Sequence, residues 1–432
     1  MKYYNINKPE EIVDFKTACI KGQGAEKGLF FPESIPAYSS QDLEELLALP
    51  KEELAFKIMK PYVGSSIPDE VLRQIVSETV NFDFPLEAIN TNRYILELFH
   101  GPTLAFKDVG ARFMSRCLGY FNKENTRDTT VLVATSGDTG GAVANGFENV
   151  TGVKVVILYP SGKVSNVQEL QLTTCASNIT ALEVNGDFDD CQALVKQAFG
   201  DKDINGHLQL TSANSINVAR WLPQQLYYWF AYQAWSRLNK SEAPVICVPS
   251  GNFGNICAGI LAHISGMPVK HFIAACNSND TIPRFLESGS YIANKTVATI
   301  SNAMDVSAPS NFVRILELYH QKVMHLKDMM TSVSVSDDRT KTTIKQVYEN
   351  DRYLLDPHAA VAYTALNDYL KADDWGIILG TAHPVKFPET IEALLGIEIE
   401  WSENIKVLRE RSKQSTFLAP DFEAFKSYLL KR

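Results

Sequence analysis

From Arg93 onward the chain alternates between short apolar runs rich in Val and Ile and longer segments of helical period, which restricts it to helices wrapped around parallel sheets. TTVLVAT, VKVVILY, ITALEV, LQLTS, APVICVP, HFIAAC and WGIILG read as strands. Helices are expected at GGAVANGF, VSNVQELQL, DFDDCQALVKQAF, INVARWLPQQLYYWFAYQAW and GNICAGILAHI. The aromatic run Tyr227 to Trp235 keeps Gln224, Gln225 and Gln233 within a helical period and reads as core. Residues 1–85 are instead dominated by helix formers, as in EEIVDFKTACIKG and SQDLEELLALPKEELAFKIMKPYV, with prolines at 32, 36, 50, 61, 68 and 85 as punctuation. No repeat or long linker marks a boundary. The connections divide the chain into a small helical N-terminal unit (1–85), a smaller α/β domain (86–205) and a larger α/β domain (206–432), with the polar stretch 320–350 as a peripheral excursion.

A chain of 432 residues can bury a large core, and its net charge of -9 offers no broad basic surface to a nucleic acid. The seven cysteines are scattered, without a CxxC pair, which argues against a disulfide framework or a structural zinc site. A reducing, cytoplasmic setting is expected. MKYYNINKPEEIVDF lacks the apolar centre of a signal peptide, and no window is long and apolar enough for a membrane span. No distinct apolar stripe stands out, so a monomer is favoured over a homodimer.

HGPTLAFK ends at Lys107, directly before DVGARFMSRCLGYF, whose Val109, Phe113, Cys117 and Phe121 share one helical face. Lys107 is thus placed at a helix N-terminus, where the dipole disfavours an ammonium group. Leu104, Ala105 and Phe106 beside it add desolvation, and both effects push a lysine toward its neutral, nucleophilic form. A Schiff-base lysine needs that. The alternative is a surface lysine paired with Asp108.

Two strand ends share an anion-binding design: apolar strand, short polar glycine loop, helix. In VLVATSGDTGGAVANGF, Gly137, Gly140 and Gly141 expose N–H groups flanked by the hydroxyls of Ser136 and Thr139. In VICVPSGNFGNICAGILA, Gly251 and Gly254 allow close approach, and Asn252, Phe253 and Asn255 add backbone donors. Rival motifs fail. Gly162-Lys163 lacks the Walker A spacing, KGQGAEKG is a turn rather than a dinucleotide fingerprint, and no GxSxG or HExxH occurs. The eight histidines show no metal-ligand spacing.

One activated lysine and two anion cradles together suit pyridoxal phosphate, whose aldehyde takes the lysine and whose phosphate takes one cradle, leaving the other for a substrate carboxylate. WGIILGTAHPVKF offers the hydroxyl of Thr381 at a strand tip as partner for the pyridine nitrogen.

At this point the chain resembles the threonine synthases, a family of fold-type II pyridoxal phosphate enzymes. The likeness rests on GLFFPESIP, FHGPTLAFKD, ATSGDTGGA, YPSGKVS, SANSINVARWLPQ, VPSGNFGN, APSNFVR and GTAHPVKF, in that order along nearly the whole length. Asp138 in SGDTG favours this family over sulfhydrylases and dehydratases, which usually carry asparagine there. The resemblance implies two doubly wound parallel-sheet domains of the tryptophan synthase β-like kind, the larger holding the cofactor. It implies that Lys107 carries the Schiff base, residues 251–255 hold the cofactor phosphate, Thr381 faces the pyridine nitrogen and Asp138 lies near the 3′ oxygen. Ser136 and Thr139 would receive the substrate carboxylate. The candidates for the substrate's own phosphate are Ser161, Lys163, Ser165, Asn214, Ser215, Asn217 and Arg220. His383 and Lys386 share the last motif without an assignable role.

The implied reaction turns the small-molecule substrate O-phospho-L-homoserine, with water, into L-threonine and phosphate by β,γ-replacement. A serine or threonine dehydratase, or another α,β-eliminating lyase, would need no second phosphate site. A catalytically silent protein that keeps the cradles is the reading from outside enzymology.

Overall fold

All seven expected strands form, and they segregate into two sheets in a computed structural model that describes residues 1–124, 127–238, 240, 242–401 and 403–431. The larger sheet has the order Met330–Ser334, His271–Cys276, Val245–Pro249, Gly376–Gly380, Arg93–Glu97 and Leu86–Asn90, parallel except for the last pair. The smaller sheet is parallel throughout, in the order Thr416–Leu418, Ile179–Val184, Val153–Pro160, Thr129–Ala134 and Gln209–Ser212. Every residue of Thr129–Ala134, Val245–Pro249, His271–Cys276 and Gly376–Gly380 is buried, which is why these segments read as continuous apolar runs rather than alternating ones.

Each sheet is doubly wound, and each has one place where the strand order reverses. In the larger sheet the chain runs outward from Val245–Pro249 in one direction, while Gly376–Gly380 lies on its other side; in the smaller, Thr129–Ala134 and Gln209–Ser212 flank the reversal. Loops leaving the carboxyl ends of strands at such points diverge and open a crevice. Those four loops begin at 250, 381, 135 and 213.

The sheets do not follow the expected divisions at 85 and 205. Leu86–Asn90 and Arg93–Glu97 join the larger sheet, and Gln209–Ser212 joins the smaller. The chain also returns at its end, where Thr416–Leu418 pairs with Ile179–Val184 and the helix Phe422–Leu430 packs Phe425 and Leu429 into the smaller domain's core. The stretch 320–350 is no separate excursion: Met330–Ser334 is the larger sheet's edge strand and Asp337–Asp351 is a helix. Its polarity reflects that edge position.

The N-terminal unit is helical over Ser40–Leu47, Lys51–Val63 and Asp69–Thr79, but it also holds an antiparallel sheet of Lys8–Asp14, Lys2–Asn5 and Phe30–Pro32. EEIVDFKTACIKG therefore splits, because Asp14 accepts a hydrogen bond from the Thr17 N–H and caps a helix that starts only at Phe15. Tyr3 and Phe15, both fully buried with ring centroids 6.2 Å apart, fix the strand to the helix. The expected helix over 216–235 runs as Val218–Trp221, a tight turn at Leu222–Gln224 and Gln225–Ser236, since Pro223 has no N–H to continue the ladder. Its aromatic residues are core, with Tyr227, Tyr228 and Trp229 wholly buried. Among the described residues no helix is long and apolar enough to cross a membrane.

Candidate active site

Lys107 opens the helix Lys107–Phe121, and the loop before it is laced to the loop after Gly380. Leu98 donates to the Gly380 carbonyl (2.9 Å), Phe106 to that of Thr381 (2.9 Å), and His383 to that of Leu104 (3.0 Å). These bonds hold Lys107 and Thr381 on one wall. Asp108 is not the lysine's partner: it is buried and accepts from both the N–H and the hydroxyl of Thr103.

The acid facing Lys107 is Asp138, whose Oδ2 lies 3.6 Å from Nζ. Its other oxygen is taken by Lys386, at 2.8 Å, and by the Gln168 amide, at 3.0 Å. Lys386 is wholly buried and also donates to the Thr103 carbonyl at 2.9 Å. Burial lowers the basicity of Lys107; Asp138 opposes this, and the nearby charges of Lys386 and Arg220 reinforce it. Burial alone would raise Asp138, but Lys386 and Lys107 hold its carboxyl well below the usual range. Lys386 thus keeps Asp138 from locking Lys107 as an ammonium ion.

The glycine loops lie where the sheets reverse, but their donors differ from expectation. In the first, Gly137 has φ 135° and a Cβ there would sit 2.4 Å from Gln168, so only glycine fits. The N–H groups of Gly137 and Gly140 do not point outward; both donate to Thr135 Oγ1, at 3.0 and 2.8 Å. Ser136, Asp138 and Thr139 are left to line the cleft. In the second, Phe253 adopts the left-handed conformation (φ 60°) that starts the helix Gly254–Ile264, whose first N–H groups have no intrahelical partner. Asn252 is braced by Ser310, which donates to its Oδ1 through N–H and hydroxyl, while Asn311 donates to its carbonyl. A Cβ on Gly251 would fall 2.8 Å from Met304 Cα. If this loop is the phosphate cradle expected from the sequence, Gly251→Ala weakens cofactor binding at least about tenfold with secondary structure intact, because backbone must shift to admit the methyl group. Equilibrium dialysis against pyridoxal phosphate, alongside circular dichroism, checks this.

Lys107, Ser136, Asp138, Thr139, Asn214, Ser215, Arg220, all of Gly251–Asn255 and Thr381 line one cleft of ≈ 1000 Å³, counting the part open to solvent. Ser161, Lys163, Ser165 and Asn217 do not. Ser161 donates to Glu183 (2.7 Å), Ser165 caps the helix Asn166–Thr173, Lys163 is exposed, and Asn217 caps Val218–Trp221 while donating to the Cys19 carbonyl (2.8 Å). Local capping chemistry accounts for two of these four, Ser165 and Asn217.

The site also uses residues to which sequence reasoning gave no role: Thr135 and His358 line the cleft, and Gln168 and Lys386 hold Asp138. His358 Nε2 accepts from the Ala303 N–H (3.2 Å), and its Nδ1 faces Asp356 at 2.6 Å, which assigns the Nδ1–H tautomer. In DPHAA the only legible signal is a helix start, with Asp356 as cap and Pro357 in the first turn.

The lining carries buried polar atoms without partners among the described residues: Arg220 Nε, Asn255 Nδ2, Asn214 Oδ1 and Gln224 Oε1. Among the described residues the Arg220 guanidinium forms no ion pair, its Nη1 donating to the Ala213 carbonyl (2.6 Å), and burial pulls it down to about 10. The unpaired Asn255 amide and the open helix N-terminus fit a phosphate-bearing aldehyde beside Lys107, and the buried Arg220 cation leaves a place for a second anion.

Residues 83–379 match the family of pyridoxal-phosphate dependent enzymes, residues 2–80 that of threonine synthase N termini, and residues 359–429 that of threonine synthase C-terminal regions. Threonine synthase of Buchnera aphidicola subsp. Schizaphis graminum is 45% identical over 433 residues, covering 100% of each chain. The chain belongs to the threonine synthase family. The crystal structure of threonine synthase from Escherichia coli superposes with a TM-score of 0.94 at 44% identity, covering 100% of both chains. That of PLP-bound threonine synthase from Brucella melitensis gives 0.93 at 33% identity, over 99% of this chain and 98% of the other. As a threonine synthase, the chain is a pyridoxal phosphate-dependent lyase of the fold-type II kind.

Proposed function

We propose that this cleft converts O-phospho-L-homoserine and water into L-threonine and phosphate, with Lys107 both holding the cofactor and moving the protons. The observation that carries the reading is the placement of Lys107: a lysine of lowered basicity at a helix N-terminus, facing an acid whose charge Lys386 already answers. The bound cofactor supplies an electron sink that acidifies the hydrogen on the substrate's Cα. Gly251, Asn252, Phe253, Gly254 and Asn255 would hold its phosphate, with the hydroxyl of Thr381 serving the pyridine nitrogen and Asp138 the 3′ oxygen.

Ser136 and Thr139 orient the substrate carboxylate. Lys107 Nζ takes the proton from Cα and releases it to solvent before taking one from Cβ; the Cγ–O bond breaks, its electron pair leaving with phosphate, and Nζ returns its proton to Cγ. A water oxygen then bonds Cβ, its proton is released, and Cα is reprotonated. Asn214, Ser215 and Arg220 receive the substrate phosphate. The partnerless Nε of buried Arg220 supports this, because a cation left facing an empty pocket penalises homoserine itself. The seven free thiols support a cytoplasmic setting.

Purified protein given O-phospho-L-homoserine is expected to release threonine and phosphate in equal amounts. 2-Oxobutyrate as main product would instead make it a dehydratase. Arg220→Gln is expected to raise KM for phosphohomoserine about 10- to 100-fold, the range of a lost charge-assisted hydrogen bond. An unchanged KM would remove Arg220 from the phosphate pocket.

A further inference from the structure

Arg314, in the APSNFVR segment, is a wholly buried cation that forms no ion pair among the described residues. Its Nη1 donates to the Ser215 carbonyl (3.1 Å) and Asn311 Oδ1 (2.8 Å), its Nη2 to the carbonyls of Ile216 (2.6 Å) and Phe30 (3.1 Å). The guanidinium lies 4.4 Å from the centroid of the Trp221 ring, and Nε has no partner. Neutral acceptors solvate a buried cation but leave its charge unanswered, an arrangement that is strongly unfavourable unless an anion comes near.

The groups that hold Arg314 also build the cradle. Asn311 donates from Nδ2 to Ser215 Oγ (2.9 Å) and to the Asn252 carbonyl (3.2 Å), and Ser215 and Asn252 both line the cleft. Arg314 itself does not line it. We propose that Arg314 is a positioning residue whose charge is answered by the phosphate dianion of the bound cofactor, through Asn311, one layer behind the Gly251–Asn255 loop. This rests on that loop being the cofactor's phosphate site. Burial pulls the guanidinium down to about 10, in keeping with a charge that lacks its counter-ion.

The test compares pyridoxal phosphate with pyridoxal, and uses inorganic phosphate as competitor, on full-length protein stripped of cofactor. Arg314→Gln is expected to weaken pyridoxal phosphate and inorganic phosphate at least about tenfold while leaving pyridoxal within about twofold, because only the phosphate feels the missing charge. Arg314→Lys keeps the charge and is expected to keep the ratio of the two affinities. Parallel losses for both ligands, or an unchanged phosphate affinity, would reduce Arg314 to a structural tie. Should the glutamine variant not fold, a fallen ratio in the lysine variant overturns the proposal equally. If the unsubstituted protein does not prefer pyridoxal phosphate over pyridoxal, the assignment of the loop fails instead.

Discussion

Lys107→Ala is expected to fold normally and to form threonine at under about one ten-thousandth of the parent rate, since one side chain supplies both the covalent anchor and the proton shuttle. Folding should survive because the substitution removes a part-buried ammonium group, a destabilising element, and leaves Asp138 paired with Lys386 at 2.8 Å. Borohydride reduction of the parent holoenzyme, followed by peptide mapping, should place the label on Lys107 alone. Lys386, on the same carboxylate, is the control that makes the experiment decisive: a label there would reverse the assignment of the two lysines.

The second large effect concerns that neighbour. Lys386→Met removes the counter-ion of a carboxylate that is only 3% exposed, and breaking a buried pair from one side costs about 3–5 kcal/mol. Urea denaturation should show this loss, and adding Asp138→Asn should recover most of it, because no charge is then stranded. The pH dependence has a defined sign. The charge of Lys386 lowers the basicity of Lys107 and Asp138 raises it. With Lys386 gone and Asp138 facing Lys107 alone, the ammonium form persists to higher pH. The pH at which stripped protein captures pyridoxal phosphate half-maximally should therefore rise in the variant; a fall would mean that Lys386 does not tune Lys107. Stability follows the opposite flank. Asp138 is held well below its unfolded value, so its contribution is complete above a pH of about 4 and fades as pH falls toward the folded value. In the methionine variant that contribution should fade at a higher pH.

The strands were legible because burial on both faces makes each an unbroken apolar run, as in VICVP and HFIAAC. Lys107, Asp138 and the glycine loops were legible because each follows a strand or opens a helix. The misses have physical causes. KPEEIVD forms a strand although four of its seven residues are charged, and local propensity cannot show that Lys2–Asn5 will pair with it. Ser165 and Asn217 carry the residue types of an anion site, yet hydroxyls and amides at those positions serve helix caps equally well. Lys386 stood in a recognisable motif, but its partner lies 248 positions earlier, as 386 minus 138 shows, and no local pattern encodes that meeting.

The return of Thr416–Leu418 to the smaller sheet sets the order of events during synthesis. Until those residues leave the ribosome, Ile179–Val184 is an open strand edge beside a core still missing Phe425 and Leu429. A product truncated before Thr416 would thus carry every cleft residue and still offer a sticky margin to other nascent chains.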